Sequence, residues 1–207
     1  KPGGVYLDFP GDLVGATVEE EDVPLLPGPE ISVPHPDPNA VQRVADLLAS
    51  AQRPLLLLGK GAAWSDAGPA IQKLVDRGIP YVCAPMARGT LPDDHANFAN
   101  AARSQALSGA DVVVMFGGRF NWIFGMGRRF APDATLVQVD VEAEELTSGA
   151  RVAHGLVADA RATAEALDSA LGSAPLSSAS AGWLKGLQEK AQRNEESLLA
   201  AQRDDAQ

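Results

Sequence analysis

The sequence predicts an α/β fold, an open, doubly wound parallel sheet of about six strands with helices on both faces. Two observations predict it. Short apolar segments alternate along the chain with segments of helical periodicity, which is the order of successive βαβ units. The apolar segments also lack the polar–apolar alternation of half-exposed strands, as expected where helices cover both faces of a sheet. Right-handed crossovers between such strands give a Rossmann-like layer sandwich.

The first helix of this domain follows a proline-rich segment, 24–38. Prolines this dense fit neither a helix interior nor a central strand, so the segment is predicted to be a stiff, extended linker. Asp37 is a predicted N-cap because Pro38 follows it at the first helical position. Apolar residues then recur at helical spacing, at Val41, Val44, Ala45, Leu47 and Leu48. We expect a helix of about three turns here.

Five short apolar segments are the predicted strands that we can place in this domain: Leu55–Leu58, Ile79–Ala84, Val112–Phe116, Leu136–Val139 and His154–Val157. The helices predicted between and after them run over about 67–78, 100–107 and 160–171. Ser65 or Asp66 is the expected N-cap of the first of these helices, and Asp159 is the expected N-cap of the last.

These elements divide the chain into three parts, 1–36, 37–172 and 173–207. The middle part is the sheet domain. The first part holds a strand-like run, Gly4–Pro10, and we expect it to be the end of a preceding domain followed by the proline-rich linker. The last part is a flexible joint and a helix leading to a following domain. The apolar face of that helix is expected to find little to pack against: Trp183, Leu184, Leu187, Ala191 and Leu198.

Composition argues against several classes of function. The 17 basic and 27 acidic side chains give a formal charge of −10, which repels nucleic acid and anionic lipid. No apolar run approaches the roughly 18 residues of a membrane helix. Cys83 is the single cysteine, so no internal disulfide can form. A reducing, cytoplasmic setting is therefore expected.

The turns after the predicted strands carry the candidate ligand groups, because ligands of such sheets bind beyond the carboxyl ends of the strands. Gly59, Lys60 and Gly61 follow the first strand. The glycines would let the backbone approach a phosphate closely, and Lys60 would neutralise it. The pattern begins like a dinucleotide fingerprint, but Trp64 stands where a third glycine is expected. A tight strand-to-helix turn with a solvated lysine explains it equally well.

Charged residues follow three further strands. Arg119 follows the third, where a fixed cation would meet a diphosphate; a surface ion pair is the alternative. Asp140 follows the fourth and could accept hydrogen bonds from ribose hydroxyls, or could only cap the acidic turn 142–145. Asp159 is more simply a helix cap than a ligand, with adenine recognition as the alternative. Together these residues favour an ADP-containing ligand.

No catalytic or metal-binding constellation is present in the sequence. His35, His95 and His154 are far apart and have no metal-ligand spacing. Cys83 has no sequence partner that would mark it as a nucleophile, and it is expected to be a small buried residue at a strand end. The chain is therefore expected to bind a ligand rather than to react with one, and no residue is assigned to catalysis or to a metal.

Four segments resemble the central domain of thiamine-diphosphate-dependent enzymes, in particular the family of oxalyl-CoA decarboxylase and 2-hydroxyacyl-CoA lyase. Val5–Asp12 resembles the last strand of that family's pyrimidine-binding domain, and Gly59–Trp64 resembles the first turn of its middle domain. Pro85–His95 resembles the loop after the second strand. Gly118–Trp122, followed by Gly127, is the most specific segment, because acetolactate synthases and pyruvate oxidases usually differ there.

The resemblance implies a nucleotide site in this domain. In the oxalyl-CoA decarboxylase branch the ligand is ADP, and FAD is the alternative for an acetolactate-synthase-like parent. Carried over by motif, the cofactor-binding residues are Gly59, Lys60, Gly61, Arg119, Asn121, Asp140, Val141, Asp159 and Ala160. Lys60 and Arg119 would contact phosphates or ribose, and Asp140 would contact the ribose. Asp159 with Ala160 would contact the adenine.

The resemblance further implies a parent enzyme that uses thiamine diphosphate and Mg²⁺ to cleave a carbon–carbon bond of a CoA thioester. The catalytic glutamate and the Gly-Asp-Gly magnesium motif would lie outside 1–207, so the chain alone is expected to be inactive. The implied partners are pyrimidine- and diphosphate-binding domains, the CoA thioester, and further copies in a dimer or tetramer; neither nucleic acid nor a membrane is expected. A nucleotide-free structural domain is the remaining alternative. Trp64 and Phe120 stand where the family more often has tyrosine and leucine.

Overall fold

The computed structural model describes residues 3–24, 27–147 and 149–204, and the chain divides into two compact units, Lys1–Ser32 and Val33–Gln207. The first unit contains a one-turn helix, α1 (Gly11–Val14), and a 3₁₀ turn, Glu20–Asp22.

The strand expected at Gly4–Pro10 does not form. These residues have no regular secondary structure, and the sheet of the described chain does not include them. The large apolar side chains of the run are exposed: Val5, Tyr6, Leu7 and Phe9. A single strand has no ladder of hydrogen bonds and no buried face, so an apolar run does not become a strand without a partner.

A parallel sheet forms the centre of the second unit and confirms the predicted α/β class. Its strands are β1 (Pro54–Leu58), β2 (Tyr81–Cys83), β3 (Val112–Phe116), β4 (Thr135–Asp140) and β5 (His154–Val157). Their order is β2-β1-β3-β4-β5, and every neighbouring pair is parallel. The described residues give five strands where about six are expected, and an isolated parallel bridge between Tyr81 and Phe98 marks a further position beside β2.

Helices cover both faces of the sheet: α2 (Pro38–Ser50), α3 (Lys60–Trp64), α4 (Gly68–Asp76), α5 (Arg103–Gly109), α6 (Ala160–Leu171) and α7 (Ser178–Asp204). Leu56 and Leu58 of β1 join a core with residues of α2, α4 and α6. Leu55 and Leu57 join a second core with residues of α5 and α7. Because successive side chains enter opposite cores, every residue of β1 is buried, which explains its continuously apolar sequence.

Two of the three predicted N-caps are confirmed, Asp37 and Asp159. Asp37 accepts a hydrogen bond from the Ala40 N–H at 2.8 Å and caps α2 as predicted. The expectation that Ser65 or Asp66 caps the next helix is wrong, because α3 precedes α4 and changes the path of the chain. The Ser65 hydroxyl donates back to the Gly61 carbonyl, and Asp66 has a left-handed backbone with φ 49°.

The expectation for the last helix, α7, is also wrong in part. Leu187 is buried in the second core, and the Trp183 indole N–H donates to the Pro54 carbonyl at 3.0 Å. The first half of the apolar face therefore packs on the sheet domain itself, whereas Leu198 near the other end is exposed. α7 has a mostly polar surface, and no helix in the described part of the chain is long and apolar enough to cross a membrane.

Candidate functional site

The carboxyl ends of four strands bring the predicted site residues to one edge of the sheet. Leu58 lies opposite Phe116, Phe116 opposite Val139, and Asp140 opposite Val157. The turns after β1, β3, β4 and β5 therefore follow one another along that edge. The chain turns towards β2 after β1 and towards β4 after β3, so the topological switch point lies between β1 and β3. Ligands of open α/β sheets bind at such a point.

At the switch point, however, two glycine turns contact each other through their backbones. The Gly61 N–H donates to the Gly117 carbonyl at 2.7 Å. A Cβ on Gly59 would lie 2.4 Å from that carbonyl oxygen and equally close to the Gly118 Cα. A Cβ on Gly61 would lie 2.7 Å from the Gly117 Cα. The turns are interlocked, and there is no room for a side chain between them.

This contact explains why glycine is needed at these positions. Gly117 also has φ +59°, a conformation that side chains disfavour, and its own Cβ would lie 2.4 Å from the Gly61 Cα. Close backbone packing therefore requires glycine at these positions whether or not a ligand binds. Lys60 begins α3 and is exposed beside the contact. The cationic side chain is the part of this turn that remains available to an anion.

Arg119 follows the glycine turn of β3 and forms an ion pair with Glu145. The Nε to Oε2 distance is 3.6 Å, and the side chains are 58% and 14% exposed. The partner is thus neither Asp140 nor Asp159 but a glutamate from the turn after β4. Because Glu145 is mostly buried and Arg119 mostly exposed, the pair fixes the base of the guanidinium and leaves much of it accessible.

Asn121 begins the irregular segment after β3. Its side-chain oxygen accepts a hydrogen bond from the Ile123 N–H at 3.0 Å and caps the 3₁₀ turn Trp122–Gly127. The amide NH₂ group makes no hydrogen bond with the described part of the chain. Asn121 therefore shapes the loop with one atom and has two N–H donors for an acceptor nearby.

Asp140 ends β4 and holds the turn that follows. Its Oδ1 accepts a hydrogen bond from the Glu142 N–H at 3.1 Å, and its carbonyl accepts from the Ala158 N–H at 2.9 Å. This is the capping geometry that the sequence allowed as an alternative to ribose binding. Val141, next in the chain, is 40% exposed. An exposed apolar side chain beside a carboxylate suits one face of a sugar or base.

Asp159 caps α6. Its Oδ1 accepts from the Ala162 N–H at 3.0 Å, and its own N–H donates to the Pro34 carbonyl at 2.8 Å. Oδ1 thus has a structural role, and Oδ2 makes no hydrogen bond within the described residues. Ala160, the next residue, is buried, so its side chain offers no surface to a ligand.

Gln138 is the residue of this edge that sequence reasoning missed. It is fully buried on β4, and its Nε2 donates to the carbonyls of Gly118 and Glu145. It therefore sets the spacing between the turn before Arg119 and the turn that carries its partner. The Oε1 atom is buried and has no hydrogen-bond partner in the described structure. A glutamine inside an otherwise apolar strand was the available signal.

Cys83 ends β2 at the same edge and is buried. Burial, together with the nearby Asp93, raises the pKa of its thiol to about 11, so the thiol is protonated at neutral pH. Burial also raises the pKa of Tyr81, whose hydroxyl donates to the Pro92 carbonyl. These groups are structural. Among the described residues, no group of three or more His, Cys, Asp or Glu side chains could hold a metal ion.

Comparison with known proteins gives a consistent family. Residues 41–167 match the family model described as the central domain of thiamine pyrophosphate enzymes. The chain is 38% identical over 202 residues to 2-hydroxyacyl-CoA lyase 1 of Homo sapiens, a match that covers 94% of this chain and 35% of the relative. It is 39% identical over 165 residues to oxalyl-CoA decarboxylase of Escherichia coli K12, which covers 77% of this chain and 29% of the relative.

More distant matches agree in fold. A probable acetolactate synthase of Mycobacterium bovis is 34% identical over 168 residues, or 80% of this chain and 31% of that protein. The X-ray structure of a proposed thiamin diphosphate-dependent enzyme from Mycobacterium smegmatis superposes with a TM-score of 0.57 at 22% identity, over 71% of this chain and 30% of that one. This chain spans about a third of the length of the curated relatives it matches.

Proposed function

This chain belongs to the family of thiamine pyrophosphate enzyme central domains, and from that premise we propose that it is the ADP-binding domain of a larger lyase or decarboxylase acting on a CoA thioester. Relatives named 2-hydroxyacyl-CoA lyase and oxalyl-CoA decarboxylase support that parent activity. The observation that carries the nucleotide assignment is the alignment of Arg119, Asp140 and Asp159 at the ends of three adjacent parallel strands.

The phosphates of ADP would be held by side chains rather than by a glycine cradle. The turns of Gly59 and Gly117 fill the space between them with their own backbones. Lys60 and Arg119, one from each of the two turns, are exposed and supply positive charge. The amide of Asn121 would donate to a phosphate oxygen. Arg119, Lys60 and Asn121 would thus hold the diphosphate of ADP at this edge.

The ribose and adenine would lie towards β4 and β5. Asp140 would accept from ribose hydroxyls while its Oδ1 keeps the bond to Glu142, and Val141 would contact the sugar or base. Asp159 would accept from the adenine amino group through Oδ2, because Oδ1 caps α6. The backbone of Ala160 would complete the adenine contact. Asp159 would then serve the fold with one oxygen and the ligand with the other.

We assign no catalytic or metal-binding residue to this chain and expect it to be inactive alone. In the parent, thiamine diphosphate with Mg²⁺ would supply the carbanion chemistry that cleaves the carbon–carbon bond. Residues 37–172 would form the nucleotide-binding domain, 1–36 would end a pyrimidine-binding domain, and 173–207 would lead to the diphosphate-binding domain. A dimeric or tetrameric parent in the cytoplasm completes the proposal.

Two alternatives have specific support. The match to a probable acetolactate synthase of Mycobacterium bovis supports an acetolactate-synthase-like parent, for which FAD would be the ligand of this site. The interlocked glycine turns and the capping bonds of Asp140 and Asp159 favour a domain that binds no nucleotide and serves assembly, because each pattern has a structural cause.

Calorimetric titration of the folded chain separates the three proposals. ADP binding with one site per chain, and no comparable heat from FAD, supports the ADP domain. Tighter binding of FAD, with yellow colour on purification, supports the acetolactate-synthase-like alternative. No binding of either at millimolar concentration, with circular dichroism confirming a folded sample, overturns the nucleotide proposal and supports the structural one.

A further inference from the structure

A pocket of about 350 Å³ opens beside the first half of β4, away from the edge described above. Its volume lies at the lower end of small-molecule sites, which span about 300–1,000 Å³. Phe130, Pro132 and Leu136 form an apolar wall, and Arg128 and Arg151 lie on its rim. Leu136 is four residues before Asp140 on the same strand, which corresponds to about 13 Å. The pocket is therefore separate from the proposed ADP site.

Among the described residues, the two arginines of the rim have no acidic partner. Both are exposed, and within the described ranges neither guanidinium makes an ion pair or a hydrogen bond. This is notable in a chain with a formal charge of −10. Burial, and then the neighbouring Arg129, lower the pKa of Arg103 on the other side of the same loop. Arg103, Arg128, Arg129 and Arg151 thus place positive charge around this loop, and Asp133 is the acidic residue within the segment that lines the pocket.

The backbone of the rim is held in an unusual conformation. Gly125, Met126 and Gly127 are all left-handed, with φ 61°, 53° and 80°. A methionine rarely adopts this conformation. The Met126 N–H donates to the Asn121 carbonyl at 2.9 Å, which holds the turn. A Cβ on Gly127 would lie 2.5 Å from the Ala150 Cβ. The turn is therefore pressed against the segment that carries Arg151, which brings the two arginines to one opening.

We propose that this pocket binds a small phosphate ester with a flat apolar body, of the size of a nucleoside monophosphate. Guanidinium groups hold phosphate oxygens in a bidentate fork, and two of them on one rim match one phosphate. Phe130, Pro132 and Leu136 offer the apolar wall that such a body needs. The site is independent of the ADP proposal because the two share no residue.

Amide chemical-shift mapping of the folded chain tests the proposal, with phenyl phosphate as the probe. At low salt it should shift the amides of 126–131, of 133–136 and of Arg151, and phenol and inorganic phosphate should bind at least about tenfold more weakly. The double variant Arg128→Gln with Arg151→Gln should lose about tenfold or more in affinity. Arg43→Gln is the matched control, since it removes one exposed charge from α2, on the opposite face of the sheet.

The outcomes separate this site from the first. Shifts confined to the ends of β3, β4 and β5 overturn it, as does an equal loss of affinity in Arg43→Gln. Inorganic phosphate that binds as tightly as phenyl phosphate overturns the role of the apolar wall. A hexaglutamate peptide that binds more tightly than phenyl phosphate overturns the small ligand in favour of an acidic protein partner. Phenyl phosphate should shift the amides around the pocket whether or not the chain binds ADP, so failure of the ADP proposal leaves this one standing.

Discussion

The two halves of the carboxyl edge of the sheet are built in different ways. At β1 and β3 the turns are held by backbone packing between glycines, with Gly59 and Gly61 against Gly117. At β4 and β5 the turns are held by carboxylates, with Asp140 and Asp159 each accepting a backbone N–H. The difference teaches that a glycine pattern at a strand end need not be a phosphate cradle. We therefore propose that ligand recognition at this edge depends on the side chains that flank the glycines.

The largest effect is expected for Gly59→Ala. The added Cβ would lie 2.4 Å from backbone atoms that cannot move aside without separating β1 from β3. We expect a loss of about 3 kcal/mol or more in the free energy of unfolding. Urea denaturation followed by circular dichroism measures it.

Gly182→Ala is the control for this substitution. Gly182 lies exposed in α7, and nothing lies within 4 Å of its Cβ position. The substitution should be neutral or should stabilise by about 0.5–1 kcal/mol, because alanine favours a helix. If Gly59→Ala is as well tolerated as Gly182→Ala, the interlocked turns do not hold this half of the edge.

Removing the positive charge of Arg119 tests whether ligand binding depends on the side chains that flank the glycines. Arg119→Gln should weaken ADP binding by about 10- to 100-fold, since a charge-assisted hydrogen bond contributes roughly 1.5–3 kcal/mol. Lys185→Gln, an exposed site on α7, should leave the affinity unchanged. Titration calorimetry measures both. Equal affinities for ADP in the wild-type chain and in Arg119→Gln would remove Arg119 from the site.

Two substitutions of Asp159, in the half of the edge formed by β4 and β5, separate its capping role from its proposed role in ligand binding. Asp159→Ala removes the cap of α6 and should cost about 1 kcal/mol of stability without ligand. Asp159→Asn keeps an oxygen for the cap, so its stability should stay within about 0.5 kcal/mol of wild type. Thermal unfolding with and without ADP measures both roles. If Asp159→Asn shows the wild-type increase in melting temperature on adding ADP, the carboxylate charge plays no part in binding.

The smallest effect is expected at Cys83, which ends β2 beside β1 and is buried. A thiol with a pKa of about 11 has roughly one thiolate in a thousand at pH 8. Labelling by a thiol reagent should therefore be at least about 100-fold slower in the folded chain than in denaturant. The rate should rise as the pH approaches 11 rather than level off near 9. Comparable rates in both states would show that the end of β2 is open.

Local patterns predicted much of this architecture. β1, β2 and β3 were predicted by short apolar runs, because burial on both faces leaves that pattern in the sequence. The caps Asp37 and Asp159 were predicted because an N-cap bonds within three residues of itself. The strand-end positions of the candidate site follow from the same short-range information.

Features that depend on distant contacts were not predicted. Gln138 joins two turns through carbonyls that are brought together only by β3–β4 pairing. Glu145 pairs with Arg119 across the same pairing. Trp183 reaches Pro54, which lies 129 residues away in the chain. The sequence of an apolar helix face does not show which surface the helix packs on. A glycine in a sequence likewise does not show which backbone segment lies close to it.

The most direct test of the central proposal is a crystal structure of the folded chain grown with ADP. The diphosphate should lie against Arg119 and Lys60, and the adenosine should extend across the ends of β4 and β5 towards Asp159. A nucleotide bound at any other surface, or crystals grown in millimolar ADP with no nucleotide at this edge, would contradict it.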